Sequence, residues 1–142
     1  MAKARISFEL DHPPETVFDY VADVRNELTW QHDMRRADKI TDGPVGEGTV
    51  FDTDYRLFGA MQLELKDVRR PEHLIFVGTG PRMSMHFAMD VAPRDGGSHV
   101  TFQIDLRPSG MLRPLAPLLA LGLPREMAKR PEQFRAALAR AT

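Results

Sequence analysis

The stretch MSMHFAMDVAPRDGGSHVTFQIDL, residues 83–106, decides the fold of this chain. Apolar side chains occupy every second position on both sides of a turn-rich loop at 93–98. This alternation predicts two half-buried strands, because successive side chains of a strand point to opposite faces of a sheet. The connection is too short for a crossover, so we expect the two strands to be antiparallel neighbours.

The same alternation recurs in several other segments, and turn-forming residues separate these segments from one another. The further predicted strands are 4–10, one that starts at Met34, 49–57, 61–66 and 74–77. Consecutive strands that are joined by short turns form an antiparallel meander. We therefore expect an antiparallel sheet of about six or seven strands.

Helical spacing of apolar residues is found near both ends of the chain. It predicts a short helix at 14–24 and a further helical turn at 26–31. The segment 108–142 also has apolar residues at helical spacing, and we expect it to cover the apolar face of the sheet. Proline disrupts a helix interior, so we expect kinks or breaks at 122–124 and at Pro131.

Length and composition indicate a globular protein with one domain, residues 1–142. Hydrophobic residues make up 42% of the 142 residues, and 19 basic residues nearly balance 20 acidic ones. Such a chain is too apolar and too weakly charged to be disordered, and it lacks the basic excess typical of a nucleic-acid-binding protein. The absence of cysteine excludes disulfides and thiolate sites.

No segment of the sequence resembles a secretory signal or a membrane span. Glu9 and Asp11 interrupt the N-terminal region too early for a signal peptide. The longest apolar stretch, 111–123, is shorter than the roughly 20 residues that cross a bilayer, and it contains Arg113. We therefore predict a soluble, cytoplasmic protein.

The C-terminal segment is basic, with seven basic and two acidic residues from Arg107 onward. One interpretation is contact with an anionic membrane or an acidic partner. The other is a solvated helix face, whose cations near the helix C-terminus interact favourably with the helix dipole. The sequence leaves both interpretations open.

The order of predicted elements and four local motifs resemble the START-related helix-grip superfamily. This superfamily includes polyketide cyclase/dehydrase and lipid-transport proteins and has the birch-pollen-allergen type of fold. The motifs are HPPETVFDYVAD at 12–23, followed by Trp30, then VGEGTVF at 45–51, RPEHLIF at 70–76 and DGGSHVT at 95–101. The resemblance implies an α+β fold, in which a curved antiparallel sheet wraps around a C-terminal helix and two short helices follow the first strand.

The resemblance also implies a cavity between the sheet and the C-terminal helix, whereas a core filled by its own side chains is the alternative. Methionines would suit an adaptable apolar site, because thioether side chains are flexible and polarizable. The expected ligand-binding residues are Trp30, Phe51, Tyr55, Met61, Met83, Met85, Phe87, Met89, Phe102, Leu115 and Leu119.

Two functional hypotheses follow. The first is binding or transport of a small hydrophobic molecule, such as a lipid, a polyketide or an isoprenoid-like compound. The second is a polyketide cyclase/dehydrase-type enzyme that uses the same cavity, with Tyr55 or His32 as the proton-transfer group.

We expect no metal and no other cofactor. The five histidines lack the spacing of metal ligands, and the glycines at 43–48 do not precede a helix as a dinucleotide-binding turn does. Asp52 and Asp54 share the polar face of a predicted strand, so we expect them on the solvated side of the sheet and not in an acid–base pair.

Overall fold

Residues 2–141, which the computed structural model describes, contain seven strands in one curved antiparallel sheet. The strands are β1 Ala2–Leu10, β2 Met34–Lys39, β3 Val50–Tyr55, β4 Gly59–Arg69, β5 His73–Thr79, β6 Met83–Arg94 and β7 Gly97–Pro108. Their order in the sheet is β1-β7-β6-β5-β4-β3-β2, so β2 to β7 form a meander and β1 pairs with the last strand. This arrangement confirms the predicted meander.

Helical segments connect β1 to β2 and follow β7. The bounds are α1 Pro14–Ala22, a 3-10 helix at Val24–Thr29, a second 3-10 helix at Gly110–Leu115, α2 Ala116–Ala128 and α3 Arg130–Ala141. The first two are the predicted pair of short helices. Among the described residues, no helix combines the length and the apolar character that are needed to cross a membrane.

The structure has no break at 122–124, because α2 continues through Pro124. A proline removes the hydrogen bond to the carbonyl group four residues earlier, which here belongs to Ala120. Ala120 and Pro124 are both exposed, so water can hydrogen-bond to this carbonyl group. The helix ends at Ala128 instead, and Pro131 lies in the first turn of α3, where proline is well tolerated.

The turn between β6 and β7 is shorter than the loop predicted at 93–98. The strands run to Arg94 and resume at Gly97, which leaves Asp95 and Gly96 as the turn. Gly96 has a φ of 76°, a left-handed conformation that glycine adopts without the steric cost of a Cβ atom. The longer strands extend the face that the sheet presents to the helices.

The two faces of the sheet differ as the alternation predicts. On the outer face, Arg36 Nη1 donates to Asp52 Oδ2 at 3.1 Å, and Arg35 Nη2 donates to Asp54 Oδ2 at 3.0 Å. On the inner face, alternate side chains of the strands are buried in one cluster with residues of the helices. The inner face is therefore where a site can form.

Helix α3 packs on the inner face chiefly through the buried ring of Phe134. The centroid of this ring lies 5.2 Å from that of Phe102 on β7 and 5.1 Å from that of Trp30, which follows the first 3-10 helix. Tyr20 of α1 and Phe8 of β1 complete the contacts, at 6.1 Å and 6.4 Å. Phe134 therefore joins α3 to the sheet and to both N-terminal helical segments.

We expect Phe134→Ala to lower the free energy of unfolding by about 3–5 kcal/mol, because it leaves a cavity among four aromatic rings. Urea denaturation monitored by circular dichroism would measure the loss. Leu121→Ala is the control, since Leu121 is 74% exposed and its truncation should cost less than about 0.5 kcal/mol. Equal losses in the two variants would contradict the role of Phe134.

Candidate functional site

A cavity of about 400 Å³ lies between the inner face of the sheet and helices α2 and α3. Seven of the residues expected at the site line it. Tyr55, Met61, Met85, Phe87 and Phe102 line it from the strands, and Trp30 and Leu119 from the helical segments. Leu118 also lines the cavity and is 65% exposed, so the cavity reaches the surface beside α2.

Four other expected residues, Phe51, Met83, Met89 and Leu115, do not line the cavity. Phe51, Met83 and Met89 are fully buried on the inner face. The Phe51 ring packs 6.3 Å from the Phe76 ring, and α1 packs on β6, the strand of Met83 and Met89. Strand alternation identifies the face of a side chain, but not whether a helix or a cavity covers it.

Polar side chains gather at one end of the cavity, and the sequence analysis missed two of them, Glu27 and Arg130. Glu27 lies in the first 3-10 helix, three residues before Trp30, and Arg130 begins α3, four residues before Phe134. Residues with these separations share one face of a helix. Their spacing from the buried aromatic residues is the signal that could have identified them.

Glu27 is a half-buried carboxylic acid at this polar end. Burial raises its pKa from the ordinary value of 4.5 to about 7, because the charged form loses its hydration. The charge of Arg130 and a hydrogen bond with Tyr55 oppose this shift without cancelling it. Near neutral pH, Glu27 can therefore both accept and donate a proton.

Tyr55 lines the same end of the cavity and is 7% exposed. Burial raises its pKa well above the ordinary value of 10, and the negative charges of Glu27 and Asp33 add to the effect. The hydroxyl group is therefore protonated throughout the physiological pH range. It can donate a hydrogen bond into the cavity, as a general acid must.

Arg130 supplies the positive charge of the polar end. Its guanidinium carbon lies 5.3 Å from the centre of the Trp30 ring, and its Nη1 donates to Gln133 Oε1 at 2.8 Å. Burial lowers the pKa of Arg130, and the charges of Glu27 and Glu126 act in the opposite direction. Among the described residues, neither of these carboxylates lies within 4 Å of the guanidinium nitrogens.

His32, the other expected proton-transfer residue, is exposed and does not line the cavity. The turn after the first 3-10 helix directs its neighbours Gln31 and Asp33 to the cavity instead. His32 is therefore not in place to act on a molecule inside it. Within residues 2–141, no three histidine or carboxylate side chains are grouped closely enough to hold one metal ion.

The basic C-terminal segment divides into cations with local partners and exposed cations. Arg130 turns into the cavity, and Arg135 Nη1 donates to Glu132 Oε1 at 2.7 Å. Arg113 and Arg125 are exposed beside the exposed apolar side chains of α2 and the 3-10 helix before it. Membrane contact through this segment stays a prediction.

The raised pKa of Glu27 predicts that the free energy of unfolding depends on pH. The folded state holds the Glu27 proton up to about pH 7, whereas the unfolded chain releases it near pH 4.5. Unfolding free energy is therefore lost as pH rises from about 4.5 to about 7, and Glu27→Gln removes this loss. We expect Glu27→Gln to match the original protein near pH 4.5 and to exceed it by up to about 3 kcal/mol at pH 8.

Urea denaturation at several pH values would measure this difference. The exposed Glu72→Gln is the matched control, and its difference from the original protein should not change between pH 4.5 and pH 8. A constant difference for Glu27→Gln would show that the carboxyl group has an ordinary pKa.

Comparison with solved structures places this geometry among START-like proteins. A START superfamily protein from Mycobacterium smegmatis has a TM-score of 0.80 at 8% identity, and the match covers 100% of both chains. A conserved protein from Geobacillus kaustophilus has a TM-score of 0.71 at 16% identity, with coverage of 98% and 96%. Ara h 8.0201 has a TM-score of 0.65 at 14% identity, with coverage of 96% and 93%. These likenesses confirm the predicted helix-grip fold.

No curated protein is significantly similar to the chain in sequence. A family model, in contrast, does match the sequence. Residues 1–139 match the family model described as polyketide cyclase / dehydrase and lipid transport. The chain therefore belongs to the polyketide cyclase/dehydrase and lipid-transport family and has the helix-grip fold of the START superfamily.

Proposed function

We propose that this protein binds a small, largely apolar molecule, such as a lipid, a polyketide or an isoprenoid-like compound, in the cavity beneath α2 and α3. The observation that carries the proposal is the cavity itself, about 400 Å³ of space that is lined mainly by apolar side chains and open at one side. Small-molecule sites typically have this size and character, with a few polar groups that orient the ligand.

The side chains around the cavity favour an adaptable site. Met61 and Met85 line it from β4 and β6, and methionine adjusts to ligands of different shape because its side chain is unbranched. On the helical side, Gly122 leaves further space, since a Cβ atom at this position would meet no atom within 4 Å. These features support binding in preference to a closed core.

Filling this space tests the proposal. We expect Gly122→Phe to weaken binding of 1-aminoanthracene, a neutral apolar fluorophore, by about tenfold or more, because the new ring occupies the cavity. Fluorescence titration would measure the affinity. Ala120→Phe is the matched control, since Ala120 lies on the exposed side of the same helix and outside the cavity.

Two results would contradict the binding proposal. One is the absence of binding by the original protein to 1-aminoanthracene and to other neutral apolar probes. The other is an equal effect of the two phenylalanine substitutions, which would place the probe outside the cavity.

The second candidate function is a cyclase/dehydrase-type reaction in the same cavity, and a specific observation favours it. Tyr55 and Glu27 face each other at the polar end, and a protonated phenol beside a carboxyl group with a pKa of about 7 forms an acid–base pair. Such a pair could donate a proton to a ligand carbonyl group and remove one from an adjacent carbon. The cavity would hold the chain in a reactive conformation.

Replacement of Tyr55 separates the two functions. If the protein cyclises a synthetic oligo-β-ketoacyl thioester, Tyr55→Phe should lower turnover by about 100-fold or more and change 1-aminoanthracene affinity by less than about tenfold. Product analysis by mass spectrometry would measure turnover. Tyr20→Phe is the control, because it removes the only other tyrosine hydroxyl group, which lies 3.4 Å from Thr29 Oγ1. Unchanged turnover in Tyr55→Phe would exclude Tyr55 as the acid.

Location and membrane contact are further parts of the proposal. A cytoplasmic carrier that exchanges its ligand with a bilayer would use Leu118, which lines the cavity, and the exposed apolar residues Met111 and Leu121 of the same C-terminal helical segments. The exposed Arg113 and Arg125 would attract anionic lipid to the same region.

A further inference from the structure

Two hydrogen-bond donors at the polar end of the cavity have donor capacity that the protein does not use. The indole N–H of Trp30 is buried and has no acceptor within the described part of the chain. The guanidinium group of Arg130 donates to Gln133 but has no carboxylate within 4 Å among the described residues. A buried donor without an acceptor costs about 1–3 kcal/mol, so an acceptor that arrives with a ligand would be favoured.

The two donors are neighbours. The guanidinium carbon of Arg130 lies 5.3 Å from the centre of the Trp30 ring, and both side chains line the cavity. A small group with two oxygens that binds Arg130 would therefore lie beside the Trp30 side chain. From this juxtaposition we infer that the cavity binds an apolar molecule that carries a carboxylate, with the carboxylate held by Arg130 and Trp30.

The charge at this end favours a carboxylate over other polar groups. A hydroxyl or ester group would leave the positive charge of Arg130 without a carboxylate in direct contact, since Glu27 and Glu126 act on it only from beyond 4 Å. A phosphate dianion would bring two negative charges against one cation. A carboxylate matches the single charge, and arginine and carboxylate groups have complementary planar geometries.

Glu27 does not prevent this binding, because it can be protonated. Tyr55 on β3 and Arg130 on α3 face Glu27, while Asp33 acts on Tyr55 and Glu126 acts on Arg130. A bound carboxylate would favour the neutral form of Glu27, since like charges in proximity disfavour ionisation. Binding of the acid should therefore take up a proton at Glu27 and weaken at high pH.

The rest of the ligand would extend along the apolar part of the cavity, past Met85 and Phe87 of β6 and Leu119 and Leu123 of α2. This inference rests on the proposed binding function and adds the chemical class of the ligand. Its test must therefore separate binding of any apolar molecule from preference for an acid.

Displacement of 1-aminoanthracene by decanoic acid and by decanol makes this separation. The two competitors share a chain length, and only the acid is ionised at pH 6. We expect the original protein to bind the acid at least about tenfold more tightly than the alcohol, because a hydrogen bond to a charged group is stronger than one to a neutral group. Fluorescence of Trp30, the only tryptophan, should respond to the acid.

Arg130→Met should remove the preference for the acid while binding of decanol remains, and Arg130→Lys should retain part of the preference. Trp30→Phe should reduce it several-fold. Arg125→Met is the matched control, because it removes an exposed cation from the adjacent helix, and it should keep the full preference. Between pH 6 and pH 8.5, acid affinity should fall by about tenfold in the original protein and stay constant in Glu27→Gln.

Equal affinity for the acid and the alcohol in the original protein would overturn the inference and leave the binding function intact. Retention of the preference in Arg130→Met would overturn it as well. If neither 1-aminoanthracene nor any other neutral apolar probe binds, the proposed function fails first, and the inference fails with it.

Discussion

The packing of the Phe134 ring against Phe102 and Trp30 is the interaction on which the rest of the structure depends. It is the point where the C-terminal helix, the last strand and the first 3-10 helix meet. Because Arg130 lies one helical turn before Phe134, the same contact determines where the guanidinium group enters the cavity. The packing of the Phe134 ring thus determines where the charge of Arg130 lies in the cavity.

The polar end of the cavity combines burial with incomplete charge compensation. Burial favours the neutral forms of Glu27, Tyr55 and Arg130 alike. The charges of Glu27 and Arg130 only partly offset this effect on each other, and the charge of Glu27 adds to it at Tyr55. A structural ion pair would hold its partners in direct contact, as Arg70 and Asp19 do on the surface at 2.8 Å. Glu27 and Arg130 are instead not in direct contact, so a molecule in the cavity can interact with the charge of either group.

Most of the fold could be predicted from the sequence, because strand alternation and turn residues are local properties. The cavity wall could be predicted only in part. The alternation of side chains placed Phe51 and Met89 on the inner face correctly, yet what covers this face depends on contacts between residues distant in sequence. Arg130 belongs to the basic segment, for which the sequence left two interpretations open. Its spacing of four residues from Phe134 is the one local signal of its place in the cavity, and this signal becomes decisive only when the packing of α3 is known.

The structural relatives show how little sequence the fold requires. A TM-score of 0.80 at 8% identity means that the curved sheet and its helices tolerate replacement of nearly every side chain, provided that the apolar pattern remains. Within such a fold, the sheet supplies an apolar wall that does not by itself distinguish one apolar molecule from another. Under the proposed function, specificity would then come from the few polar groups that the helical segments bring to the wall, among them Glu27, Trp30 and Arg130.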